Sequence, residues 1–259
     1  MHHEVTGVGP AIVFLHEGIA DSRMWEPQWT SFATRYRLLR CDFAGFGRTP
    51  IDRLPVTHAQ DVVNLLDELD ISSAGVVGAS MGGRVALELA VARPDLVQTL
   101  VLEDAGLPGV NWSEAVRAYG AAEDKAVARG DLEAATEINL RMWVDGPRRA
   151  VADVDPEVRA AVGEMQRQAL ELQAPYWERL DEDPLVPDIA ERLGEVQAPT
   201  LVLVGEEDVE DMHALAERFA TEIPRARLAR IPGAAHMPNL EQPGAFDKLV
   251  LEFLADALG

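Results

Sequence analysis

The 259-residue chain has one cysteine, Cys41, which excludes a disulfide framework and a cysteine-rich metal site. Cys41 lies in the apolar run Leu38-Leu39-Arg40-Cys41 and reads as a small buried strand residue. Positive charge is also scarce: 23 basic against 44 acidic side chains leave a formal charge of −21. A field of that sign repels phosphate backbones and anionic head groups, so nucleic-acid and membrane-surface partners are disfavoured and none is expected. No apolar run approaches the ~18 residues of a membrane span. The N-terminus shows no basic-then-apolar export signal, and the expectation is a cytoplasmic protein. There is no G-x-x-x-x-G-K-[ST] and no G-x-G-x-x-G, so a phosphate cradle is unsupported and no cofactor is expected. Glu210 and His213 could share a helix face, but a single pair without a third ligand makes a poor metal site.

What is present is an alternation. Short apolar runs at Ala11–Leu15, Leu38–Cys41, Ala74–Val77 and Leu100–Leu102 read as buried strands. Between them, His58–Leu69 and Met81–Ala92 carry apolar positions at helical spacing. Buried strands alternating with amphipathic helices imply an α/β fold with a mainly parallel sheet and helices on both faces. The rhythm breaks between about 110 and 190, where helical patterns dominate. Asp131 precedes one helical run that ends near Trp143, and Asp155-Pro156-Glu157 is a strong start for another. Strands return at Thr200–Val204 and near 227–231, with a last helix near 244–257. The organisation expected is a core of residues 1–107 and 195–259 interrupted by a helical insertion, 108–194, bounded by Pro- and Gly-rich segments.

Gly78-Ala79-Ser80-Met81-Gly82 matches G-x-S-x-G directly between a strand and a helix. On such a turn the two glycines remove side chains that would collide. The helix N-terminus offers free N–H groups to a developing oxyanion. A serine hydroxyl needs a base. Of six histidines, His2 and His3 are terminal, His58 and His213 are expected at the surface, and His16 follows the first clear strand in a supporting position. His236 lies in the loop after the last strand, where a parallel sheet places its site residues. Asp208, in Gly205-Glu206-Glu207-Asp208 after the strand Thr200–Val204, is the carboxylate to orient it, with Asp104 as the alternative acid. The order Ser80, Asp208, His236 is that of one of the known serine-hydrolase arrangements.

With Leu15-His16-Glu17-Gly18, Met24-Trp25, Asp42-Phe43-Ala44-Gly45-Phe46-Gly47 and Gly233 to Gln242 added, the chain resembles the α/β-hydrolase superfamily, in its cap-bearing esterase and lactonase branch. The resemblance implies oxyanion donors at the Gly18 and Met81 N–H groups and a sheet that starts at the family's second strand. Serine at the elbow sets it apart from the haloalkane-dehalogenase and epoxide-hydrolase branches. The activity implied is cofactor-independent hydrolysis of a small carboxylic ester or lactone by a monomer or homodimer. Enol-lactonase, carbon–carbon hydrolase and perhydrolase chemistries are alternatives, as is a non-catalytic receptor on the same fold.

Trp143, Met142, Trp177, Tyr119 and Met237 are the expected pocket lining. Relatives usually carry glycine where this chain has Glu17. A carboxylate aimed at the oxyanion would oppose catalysis, so its side chain is expected to turn towards solvent or an arginine. Anionic substrates should be disfavoured unless Arg141, Arg148 or Arg149 supplies a counter-charge.

Overall fold

The computed structural model describes residues 1–258. Seven strands form one sheet: β1 (His3–Thr6), β2 (Ala11–Leu15), β3 (Arg37–Cys41), β4 (Ala74–Ala79), β5 (Val97–Glu103), β6 (Thr200–Gly205) and β7 (Ala226–Ile231), in the order β1-β3-β2-β4-β5-β6-β7. Only β1 is antiparallel, pairing His3 with Cys41 through Thr6 with Leu38; every other pairing is parallel. β4 and β6 are buried at every position because helices cover both faces, which is why they read as unbroken apolar runs.

The helices are α1 (Glu26–Phe32), α2 (His58–Glu68), α3 (Met81–Ala92), α4 (Glu114–Ala128), α5 (Leu132–Asn139), α6 (Pro156–Gln173), α7 (Glu210–Glu222), α8 (Pro238–Glu241) and α9 (Pro243–Leu258). One apolar cluster joins β4, β5 and β6 to α2, α3 and α7; a second joins the other face to α1 and α9. His58 departs from its expected surface place. It is buried at the start of α2 against Phe43, with ring centroids 4.9 Å apart, because the first turn of α2 packs on the Phe43–Phe46 loop.

Between β5 and β6 every regular element is helical, and the segment adds one isolated bridge, between Glu182 and Val56. The expected starts are present as side-chain caps: Asp131 accepts from the Ala134 N–H at 3.1 Å and Asp155 from the Glu157 N–H at 2.8 Å. After α5 the helix widens into a π-helical turn over Leu140–Asp145, closed by Gly146 at φ 74°. These helices are tied to the strand ends below. Gln173 Nε2 donates to the Gly45 carbonyl at 3.1 Å, Gln168 Nε2 donates to that of Gly47 at 2.7 Å, and Arg23 pairs with Glu164 at 2.7 Å. A space closed by helices therefore lies over the carboxyl ends of the central strands, where an open parallel sheet holds its ligands.

Candidate active site

Ser80 sits between β4 and α3 with φ 47° and ψ −108°, a strained conformation for a residue with a side chain. The turn is over-determined by its glycines. A Cβ on Gly78 would strike the Gly82 carbonyl oxygen, and one on Gly82 would strike the carbonyls of Leu15 and His16. The Ser80 N–H is held by the Glu103 carbonyl at 2.9 Å. Met81 is the first residue of α3, and neither its N–H nor that of Gly18 donates to a protein acceptor among the described residues. The two residues flank each other: a Cβ on Gly18 would lie 3.9 Å from that of Met81.

His236 follows β7 and is buried. Its Nδ1 meets Asp208 Oδ2 at 2.6 Å, and its backbone N–H donates to the Trp143 carbonyl at 3.2 Å. The Trp143 ring covers the imidazole, centroids 4.5 Å apart, and Tyr119 meets Trp143 edge-on at 5.4 Å. Asp208 is fully buried, and its other oxygen accepts the Val209 N–H at 2.7 Å. Asp104, also buried, accepts the Gly205 N–H at 3.2 Å instead and makes no hydrogen bond to His236. Of the two candidate acids, Asp208 is the one on the imidazole. Burial and the Asp208 charge hold the Asp104 carboxyl well above the usual carboxylate range.

Asp104, Asp208 and His236 place donor atoms within 4.8 Å of one another. An ion there would have to displace the His236–Asp208 bond, so the arrangement suits an oriented base better than a metal. Glu210 pairs with Arg148 at 3.1 Å and His213 contacts Arg230 at 2.9 Å, so that pair faces other partners.

Ser80 and His236 line one cavity of about 230 Å³, together with Glu17, Gly18, Met81, Tyr119, Glu123, Asn139, Trp143, Gln166, Gln173 and Trp177. Ser80 Oγ makes no hydrogen bond to the imidazole in this conformation. A second, larger cavity of about 600 Å³ opens from Ser80, Met81, Tyr119 and Trp143 towards Leu107, Pro108, Trp112, Val116 and Met212. Of the expected lining, Trp143, Trp177 and Tyr119 are in place. Met237 and Met142 are not: Met237 is fully buried against the α1–α9 side of the sheet, and Met142 packs into the other apolar cluster. Each is adjacent in sequence to a lining residue, His236 or Trp143, but lines neither cavity itself. Glu123, Asn139, Gln166 and Gln173 were not expected. They are polar residues spread over three helices, with no local pattern to mark them.

Glu17 overturns its expectation. Its side chain is 1% exposed, neither carboxyl oxygen has a hydrogen-bond partner, and Oε2 lies 3.9 Å from His236 Nε2. The preceding residue fixes it there. His16 Nε2 accepts the Phe43 N–H at 3.0 Å and His16 Nδ1 contacts the Glu17 carbonyl at 2.7 Å, while α3 presses on the backbone from below through Gly82. Burial pushes the Glu17 pKa up to about 8, against the pull of a charged His236. For His236, burial opposes the charged ring, but Asp208, Glu17 and Glu103 outweigh it and raise the pKa to about 9. The arginines proposed as counter-charges are engaged elsewhere: Arg141 with Asp145, Arg148 with Glu207 and Glu210, and Arg149 with Glu241.

The family model for the alpha/beta hydrolase family matches residues 12–249. The chain belongs to that family. It is 29% identical to a putative carbamate hydrolase, RutD, of Rhizobium rhizogenes, over 98% of this chain and 97% of the relative. The solved structure of the enol-lactonase from Burkholderia xenovorans LB400 is similar at TM-score 0.78 and 25% identity, covering 98% of this chain and 96% of that one. MenH from S. aureus shares the fold at TM-score 0.83 and 23% identity, with 100% and 99% covered. These relatives include hydrolases, and the two solved structures share the fold of this chain.

Proposed function

We propose that the protein is a serine hydrolase that cleaves a small carboxylic ester or lactone through an acyl-enzyme. The observation that carries this reading is the 2.6 Å bond from Asp208 to His236 Nδ1, on an imidazole that lines the same cavity as Ser80 on its strained turn. In this reading residues 1–107 and 195–259 form the catalytic core and 108–194 a cap that closes the site from water.

The Ser80 oxygen attacks the substrate carbonyl as His236 Nε2 takes the hydroxyl proton. Asp208 fixes the ring in the tautomer that leaves Nε2 free and stabilises the imidazolium that forms. The new oxyanion is held by the Gly18 and Met81 N–H groups, which have no other acceptor and need no rearrangement to receive it. His236 returns the proton to the alkoxide leaving group. A water molecule then repeats the sequence on the acyl-enzyme, releasing the acid and restoring the serine. A backbone strained at Ser80 is what such a site requires, because it lifts the hydroxyl clear of α3 while leaving the helix N-terminus beneath it.

The relatives described as a carbamate hydrolase and an enol-lactonase support acyl-carbon cleavage as the reaction class. An anionic group is disfavoured in the small cavity, which holds a buried carboxyl and neither arginine nor lysine; Arg84 and Arg117 line only the larger one. The test is a pre-steady-state burst of nitrophenol from nitrophenyl acetate. Wild type should give about one equivalent and Ser80→Ala none; bound but uncleaved ligand in both would favour a receptor.

A further inference from the structure

The two cavities that meet at Ser80 differ in chemistry. The larger is lined mainly by apolar side chains, Leu107, Pro108, Trp112 and Val116 among them. The smaller is rich in acceptors. Both oxygens of Glu17 and the Oε1 of Gln166 are buried there without a hydrogen-bond partner. Glu123 adds a second carboxylate, with Oε1 accepting from Asn139 Nδ2 at 2.6 Å.

Away from the reaction centre, where Ser80 and the Gly18 and Met81 N–H groups remain free, most side-chain donors of this cavity are already engaged. Tyr119 donates its hydroxyl to Asn139 Oδ1 at 2.6 Å, and Asn139 Nδ2 is shared between Glu123 and the Ala135 carbonyl. Gln173 Nε2 is held by the Gly45 carbonyl and Trp177 Nε1 by Asp124. His236 is the only lining side chain able to carry positive charge. Buried acceptors left unpaired are costly, so a cavity of this kind is completed by a guest that donates hydrogen bonds and carries positive charge.

We propose that the small cavity is a subsite for a protonated amine on the substrate, held by Glu17, Glu123 and Gln166, with the apolar remainder of the substrate in the larger cavity. The inference rests on the hydrolase reading for the reaction and names its substrate class: an amine-bearing ester or lactone. Glu17 is the recognition residue. Burial makes its uncharged acid the resting form, and a cation bound beside it favours the carboxylate by adding to the pull of His236, 3.9 Å away. A carboxylate guest meets the opposite situation, two acidic side chains, with free backbone donors only at the oxyanion site beside Ser80.

The test separates binding from turnover. Hexylammonium, 1-hexanol and hexanoate are titrated calorimetrically into Ser80→Ala, and the same three are used as competitive inhibitors of nitrophenyl acetate hydrolysis by the wild type. Hexylammonium should bind roughly tenfold or more tighter than hexanol, with hexanoate weakest. Glu17→Gln and, separately, Glu123→Gln should each reduce that preference by about fivefold or more while circular dichroism confirms folding. Hexanoate binding as well as hexylammonium, or an ammonium preference unchanged in both variants, overturns the proposal. Binding to Ser80→Ala does not depend on catalysis. Absent hydrolysis with the ammonium preference retained therefore removes the hydrolase reading and leaves the subsite, and the converse removes only the subsite.

Discussion

Glu17→Gln isolates the energetic consequence of burying an acid with no partner. The folded protein holds the Glu17 proton up to about pH 8, whereas the unfolded chain releases it near 4.5. Between those values the folded state binds more protons, so stability falls as pH rises through the window. At pH 7 the gap is about 2.5 pK units, which corresponds to a penalty of about 3 kcal/mol; at pH 5 the same arithmetic leaves under about 1 kcal/mol. The side chain is fully buried, so solvent screening does not reduce the figure. Glutamine keeps the shape and leaves an unpartnered amide, a cost of about 1–3 kcal/mol that does not vary with pH. The difference between two pH values therefore cancels the amide and reports the acid alone. Urea unfolding of both proteins at pH 5 and pH 7 should show the variant gaining roughly 2–3 kcal/mol on the wild type across that interval. A stability difference that stays constant from pH 5 to pH 7 would refute the claim that burial holds the Glu17 proton well above the ordinary carboxylate range.

Three further outcomes are expected. Asp208→Asn should lower kcat by roughly 10³-fold or more, and Asp104→Asn far less, because only Asp208 bonds the imidazole; equal losses in steady-state assays would contradict that division. The acid limb of kcat/KM should have its midpoint above pH 7, since the His236 pKa is raised to about 9 and the base is active only when deprotonated, and Glu17→Gln should move the limb to lower pH by removing one of the carboxylates that raise it. A midpoint at the ordinary histidine value of ~6.5, unmoved in the variant, would count against the Glu17–His236 contact. Gly82→Ala should abolish soluble expression or cost several kcal/mol in a melt, about 3 or more, because its Cβ meets backbone oxygens that cannot yield; a stable, active Gly82→Ala would contradict the close packing of α3 on β2.

The sheet was legible because parallel strands covered on both faces leave continuous apolar runs. Thr200–Val204 and Ala11–Leu15 fall within one residue of the observed β6 and β2. Helix starts were legible through Asp131 and Asp155, whose caps act over two or three residues of sequence. The Ser80 turn carried its signal locally too, since the glycines that make room for it are within two positions. His58 was misplaced because its burial depends on the Phe43–Phe46 loop, which lies outside the helix, and helical periodicity says nothing about a partner of that kind. Glu17 failed for a related reason. The sensible expectation, that a carboxyl avoids a dry site, ignored the backbone on either side of it, pinned by His16, Phe43 and Gly82. The acceptor-lined cavity was invisible for want of any spacing rule linking Glu17 to Glu123 and Gln166, which meet only when the helices between β5 and β6 close over the sheet.

The most direct test of the account is covalent labelling of Ser80. A fluorophosphonate ester reacts with a serine only when a base and an oxyanion site act on it together. Intact-protein mass spectrometry should show one adduct on the wild type, mapped by peptide digestion to the segment containing Ser80, slow labelling in Asp208→Asn and none in Ser80→Ala. An adduct that persists in Ser80→Ala, or a folded wild type that takes no label at high pH, would contradict the assignment of Ser80, His236 and Asp208 as one catalytic unit.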